Sequence, residues 1–139
     1  MELTAVAAQT VAADSNILYT NVAVNGNASM VHRNGSGLVT LRGLTNQCRA
    51  RFKVYFNANA AVPTGGTAGA IQLAIAINGE VVPSTTMIVT PAAVNEYFNT
   101  SAALYVDVPR GCCTQISVKN TSAASVSVQN ANLIVERVA

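Results

Sequence analysis

The eight residues RARFKVYF, Arg49 to Phe56, constrain the fold more than any other stretch of the chain. Ala50, Phe52, Val54 and Phe56 alternate with Arg49, Arg51, Lys53 and Tyr55. Successive side chains of an extended strand point to opposite faces, so this order puts every apolar residue on one side and a basic stripe on the other. A strand of that kind belongs to a sheet with one face packed on a second layer and one face outward. No apolar stripe with a 3.6-residue period competes with it elsewhere.

The rest of the chain reads the same way. Runs from Asn16 to Val24, Ser29 to Arg33 and Leu38 to Gly43 are punctuated by Asn25-Gly26 and Asn34-Gly35, pairs that accept the positive φ of tight turns. After a loop carrying Pro63, Gly65, Gly66 and Gly69, the segment AIQLAIAINGEVV predicts a hairpin. Ile71, Leu73, Ile75 and Ile77 share a face, Asn78-Gly79 forms the two-residue turn, and Glu80 begins the return. Pro83 ends that pairing, which resumes at Thr85 to Thr90. Further strands are predicted from Tyr97 to Val108, Thr114 to Lys119 and Ser125 to Val138. Eight to ten short antiparallel strands without helices make an all-β sandwich or barrel over residues 16–139. Residues 1–15, uncharged and apolar from Thr4 to Ala13, are either an N-terminal strand or an anchor for a partner.

Charge separates classes of function. Only 10% of the residues are charged, against about a quarter in ordinary soluble domains. With no Trp and 5% aromatics, the core must come from Val, Ile, Leu and Ala, and the surface from Ala, Thr, Ser and Asn. Such a surface suits lasting contact with other subunits. A net charge of +2 without a long basic run gives no case for nucleic acid, and no apolar run is long enough to span a membrane. The opening residues hold Glu2 and Asp14 and no Lys or Arg, unlike a signal peptide.

Catalysis has little to work with. His32, the only histidine, is expected to be a solvated loop residue beside Arg33; two-His ligation within one chain is excluded, although a three-fold axis could gather three copies. Glu2, Asp14, Glu80, Glu96, Asp107 and Glu136 follow no motif, and no glycine-rich loop leads into a helix. No catalytic residue, cofactor or metal is expected. The sequons at Asn27, Asn34, Asn99 and Asn120 are those that chance supplies in a chain rich in Asn, Ser and Thr.

The order and spacing of LVTLRG, RARFKVYF, AIAINGEVV, ALYVDVPRG and ANLIVERVA resemble the C1q/TNF-like jelly roll from Asn16 onward. Two departures stand out: Gly43 is followed by Leu44 and Thr45, where many members carry Gly-x-Tyr, and no collagen-like Gly-X-Y stalk precedes the domain. The Asn- and Ala-rich texture and the ending NANLIVERVA are also similar to small virion proteins of phages and prophages of gut Firmicutes. That resemblance implies a homotrimer on the virion surface, assembled in the bacterial host cytoplasm. Its partners would be itself and the major capsid protein or another virion protein, as a capsid decoration protein or the head of a short fibre. The alternative is a fibre or spike tip that binds a receptor or host surface glycan, against which the loops' lack of Trp weighs mildly.

The resemblance also directs attention to particular residues. In such trimers the sheet holding RARFKVYF turns its outer face toward other subunits. Arg51, Lys53 and Tyr55 are then expected to meet Tyr105, Asp107 and Glu136 within or between subunits; otherwise the stripe is an ordinary solvated face. Cys48 and the pair Cys112 and Cys113 fall in turns at one end of the jelly roll. They are free thiols in a reducing cytoplasm, a disulfide from Cys48 to one of the pair, or a weak metal site.

Overall fold

In the computed structural model, which describes residues 1–111 and 113–139, the alternation of RARFKVYF becomes the centre of a sheet. Strand β6 (Arg49–Ala61) buries Ala50, Phe52, Val54, Phe56, Ala58 and Ala60. It is flanked on both sides by antiparallel strands of twelve residues, β10 (Phe98–Pro109) and β12 (Val126–Arg137). Beyond β12 come β1 (Glu2–Ala5) and the edge strand β3 (Asn21–Val24), giving the order β10-β6-β12-β1-β3; β2 (Gln9–Val11) pairs the start of β12.

The second sheet runs β4-β5-β11-β7-β8, built from β4 (Met30–His32), β5 (Val39–Arg42), β7 (Ile71–Ile77), β8 (Glu80–Val81) and β11 (Cys113–Asn120). Its Leu41, Leu73, Ile75 and Ile116 meet Leu3, Phe52, Phe56 and Leu133 of the first sheet across the core. Each such side chain taken fully out of water stabilises the fold by about 1.5–3 kcal/mol. All strand pairings are antiparallel, and the architecture is a jelly-roll sandwich.

Local chemistry explains the turns. Asn78 (φ 52°) and Gly79 (φ 83°) both take positive φ, as a two-residue hairpin turn with the twist of its strands requires. The Asn78 side chain locks the turn by accepting from the Gln115 N–H at 2.9 Å. Pro83 opens a 3-10 turn (Pro83–Thr85), after which β9 (Met87–Val89) resumes on the same edge of β7. Thr85 fills the gap in the ladder: its buried hydroxyl accepts from Ile75 N–H at 2.9 Å and donates to the Val82 carbonyl at 2.7 Å.

Two expectations change. The run from Asn16 to Val24 is not one strand. Ile17 donates to the Val118 carbonyl of the second sheet and Tyr19 to the Ser36 carbonyl in the loop between β4 and β5, whereas Asn21–Val24 pairs β1 in the first. The crossing lets Ile17 and Tyr19 bury fully between the layers. The described residues also form twelve strands, because residues 1–15 add two to the runs read from Asn16 onward; the break of the return strand at Pro83 is where the sequence placed it. β1 lies inside its sheet, and Leu3, Ala5 and Val11 belong to the common core, so residues 1–15 and 16–139 share one packed interior.

Leu3→Ala is therefore expected to cost about 3 kcal/mol in denaturant unfolding, as large-to-small core changes do. Val6→Ala, at a side chain that is 70% exposed, should stay within about 0.5 kcal/mol of wild type. Equal midpoints for the two variants would mean that the N-terminal strand is not part of the core.

Candidate interaction face

The outer face of the first sheet is organised as cross-strand rows set by register. One row reads Ala103, Tyr55, Ile134, Glu2, Val24 across five strands. The next toward the β6 start reads Tyr105, Lys53, Glu136, and beyond it Asp107 faces Arg51. All six residues singled out from the sequence thus lie together: Lys53 stands between Tyr105 and Glu136, Arg51 opposite Asp107, and Tyr55 one row away. On the other side, Ser101, Asn57, Asn132, Thr4 and Asn21 form a row of uncharged polar residues. Asn132 donates to the Glu2 carboxylate at 2.6 Å, and Asn21 to the Thr4 hydroxyl at 3.2 Å.

Apolar side chains are exposed across this face, Tyr55 and Ile134 on its central strands and Tyr105 and Val24 on its two edge strands. Tyr105 is 64% exposed and Val24 54%, with Tyr55 and Ile134 close to 40%. A shallow depression of about 310 Å³ is lined by Lys53, Tyr55, Ile134 and Glu136. A second, about 350 Å³, shares Ile134 and Glu136 and continues to Met1, Val24 and Met30. Sequence reasoning missed Ile134 and Val24. In LIVER, three apolar residues in succession conceal the phase, although Glu136 facing outward already implies that Ile134, two residues earlier, does too.

Asp107 gathers the ion pairs of this face among the described residues. Arg51 grips Asp107 with two bonds, Nε to Oδ1 at 2.7 Å and Nη2 to Oδ2 at 3.1 Å, and Arg49 Nε lies 3.4 Å from Oδ2. The Arg51 hydrogen bond holds the Asp107 carboxyl below the usual aspartate range, partial desolvation opposes it, and the two guanidinium charges add to the lowering. Arg51 is raised in turn, through the same bond and the Asp107 charge.

The cysteine-bearing turns do lie at one end. Arg110 N–H donates to the Cys48 carbonyl at 3.0 Å, and Gly111 N–H to that of Gly43 at 3.1 Å. Gly43 is required there, because a Cβ would collide with the Pro109 carbonyl oxygen. Cys48 is an exposed free thiol and Cys113 is exposed, while Cys112 lies outside the described residues. Among the described residues no three His, Cys, Asp or Glu side chains gather as metal ligands.

His32 differs from its expected place in a solvated loop. It sits on β4, half-buried, with Nε2–H donating to the Ser36 carbonyl at 2.9 Å and its ring edge-on to Tyr19 at 6.3 Å. The crossing segment brings Tyr19 over it, and Nδ1 is buried as well, so neither nitrogen is presented to further copies. Tyr19 itself is fully buried, and desolvation pushes its hydroxyl pKa up.

Asp107 should titrate below an ordinary aspartate when followed by carboxyl NMR, and Arg51→Ala should move the midpoint upward. Because the folded pKa is the depressed one, the pair's contribution is present above the unfolded aspartate pKa of about 3.9 and is lost as pH falls through the folded value. High salt should shrink the difference, the pair being exposed. An Asp107 midpoint that ignores Arg51→Ala would contradict the geometry.

No protein-family model matches the chain, and no curated protein sequence does. Solved structures do match. Eiger TNF from S. frugiperda superposes with a TM-score of 0.71 at 10% identity, over 100% of this chain and 92% of that one. Murine APRIL gives 0.67 at 12% identity, over 99% and 98%, and the globular domain of zebrafish complement 1qA gives 0.62 at 8%, over 96% and 93%. At such identities the likeness is one of fold. With the two antiparallel sheets and their strand order, it shows that this chain has the jelly-roll fold seen in those C1q/TNF-like domains.

Proposed function

We propose that the chain is a non-enzymatic structural protein of a phage particle, a homotrimer that decorates the capsid exterior. The observation that carries the self-association is the outer face of the β10-β6-β12-β1-β3 sheet. There Tyr105, Val24, Tyr55 and Ile134 lie exposed among charges of both signs in a chain with only 10% charged residues. Exposed apolar and aromatic side chains interleaved with polar ones are a composition that protein interfaces bury. Both signs on one face make it complementary to copies of itself.

Within such an interface Tyr105, Tyr55, Ile134 and Val24 supply the association energy. Arg51 with Asp107, and Lys53 with Glu136, set register, because burying an ion pair costs about what the pairing returns. The row of Asn and Thr side chains adds hydrogen-bonding groups that remain satisfied at a wet interface. The phage assignment rests on the texture and ending of the sequence, and a trimer suits the local three-fold positions of a shell. The mechanism is adhesion by matched, weakly charged surfaces.

Light scattering behind size exclusion should give the mass of three chains, with and without reductant. Tyr105→Glu should yield monomers that keep the all-β circular dichroism. A wild-type monomer at micromolar concentration would remove the trimer. Added to assembled shells, the protein should raise their resistance to heat; shells equally stable without it would count against decoration.

A further inference from the structure

The charges of this chain are distributed unevenly along the long axis of the sandwich. Strand β5 ends at Arg42, β6 begins at Arg49, β10 ends just before Arg110, and β12 ends at Arg137. These four strand ends meet at one end of the domain, and Arg51 stands on the same rim. Five of the chain's eight basic residues thus gather there around the carboxylate of Asp107, with Glu136 and Glu2 lining a depression beside Arg137. Asp14, Glu96 and Arg33 lie in loops away from these strand ends, and Lys119 directs its Nζ to the Gly79 carbonyl at 3.4 Å.

Backbone contacts make the rim a built feature. Gly43 packs directly on Pro109 and Arg110, Arg110 N–H bonds the Cys48 carbonyl, and Arg42 is the register partner of Cys113. Arg137 Nη1 ties β12 to the same rim through the Leu44 carbonyl at 2.7 Å. Arg49 and Arg51 share Asp107. Arg42 and Arg110 are exposed, and among the described residues no carboxylate lies within ion-pair distance of either. Exposed Leu44 and Val138 flank them.

We propose that this arginine rim docks a carboxylate-rich protein surface. Guanidinium forks match carboxylates with two parallel bonds, which accounts for five arginines and no lysine on the rim. Apolar flanks beside arginine are the composition of a protein interface. A phosphate backbone would call for a continuous basic track, and here Asp107 interrupts it. This deepens the reading above, on which it rests only for naming the shell as the source of the carboxylates. A trimer built on the sheet face would carry three rims on one end, adding avidity.

The test is retention of the full chain on immobilised poly-L-glutamate and on duplex DNA, in rising salt. The variants are Arg42→Gln/Arg110→Gln and, as a control with the same charge loss outside the rim, Arg33→Gln/Lys119→Gln. Wild type and control should bind poly-L-glutamate alike, within about twofold, and the rim variant about tenfold more weakly. Alkylation of Cys48 should slow in the bound state. Equal weakening in both variants, tighter retention on DNA, or no retention on poly-L-glutamate would each overturn the proposal. Native mass, measured in parallel, separates the two readings: a trimer that ignores poly-L-glutamate refutes the rim alone, and a monomer that binds it refutes the trimer alone.

Discussion

Strand β6 is paired along its length on both edges, and that constraint propagates through the domain. Its inner side chains, Phe52, Val54 and Phe56, have no solvent-exposed surface, so the neighbouring strands must hold Val106, Val108, Leu133 and Val135 at matching depth. Once the inner positions are fixed, period 2 dictates the outer ones. Arg51 therefore faces Asp107, and Lys53 lies between Tyr105 and Glu136. A slip of one residue would send arginine and lysine into the core, so the outer rows are as firmly specified as the interior.

The ends of the sandwich are held by polar groups rather than bulk. Asn120 has no exposed surface, yet its amide donates to the Val11 and Ala124 carbonyls at 2.9 Å each, and its oxygen accepts from Ser122 N–H at 2.9 Å. One side chain thus joins β2, the end of β11 and the loop before β12. Gln9 does similar work on the surface: its amide exchanges two bonds with the backbone of Leu18, as a strand partner would. Both amides are satisfied by backbone partners, as polar groups withdrawn from water generally are.

Face and rim divide the surface into two kinds of chemistry. The sheet face carries balanced charge around apolar side chains, a combination that suits copies of the same chain. The rim is arginine-rich at the junction of four strand ends and suits a partner of opposite sign. The two meet at Arg51 and Asp107, whose bidentate pairing anchors the edge of the face and neutralises part of the rim.

Alternation in RARFKVYF and the Asn78-Gly79 turn were readable because both depend on neighbours in sequence: strand pleat fixes one and positive φ the other. From these the all-β sandwich and the outward placement of Arg51, Lys53 and Tyr55 follow. The split of Asn16–Val24 between two sheets was not readable, since a β-rich run has the same local pattern whichever sheet it joins. Nor was the half-buried seat of His32, which exists because Tyr19 arrives from thirteen residues upstream. The arginine rim was equally hidden: Arg42, Arg110 and Arg137 are far apart in the chain, and only the antiparallel topology brings their strand ends together. The sequence determined which side of each strong strand is apolar, through local geometry. The tertiary structure decided which strands become neighbours, and hence which charges share a surface, because long-range pairing depends on the whole core closing at once.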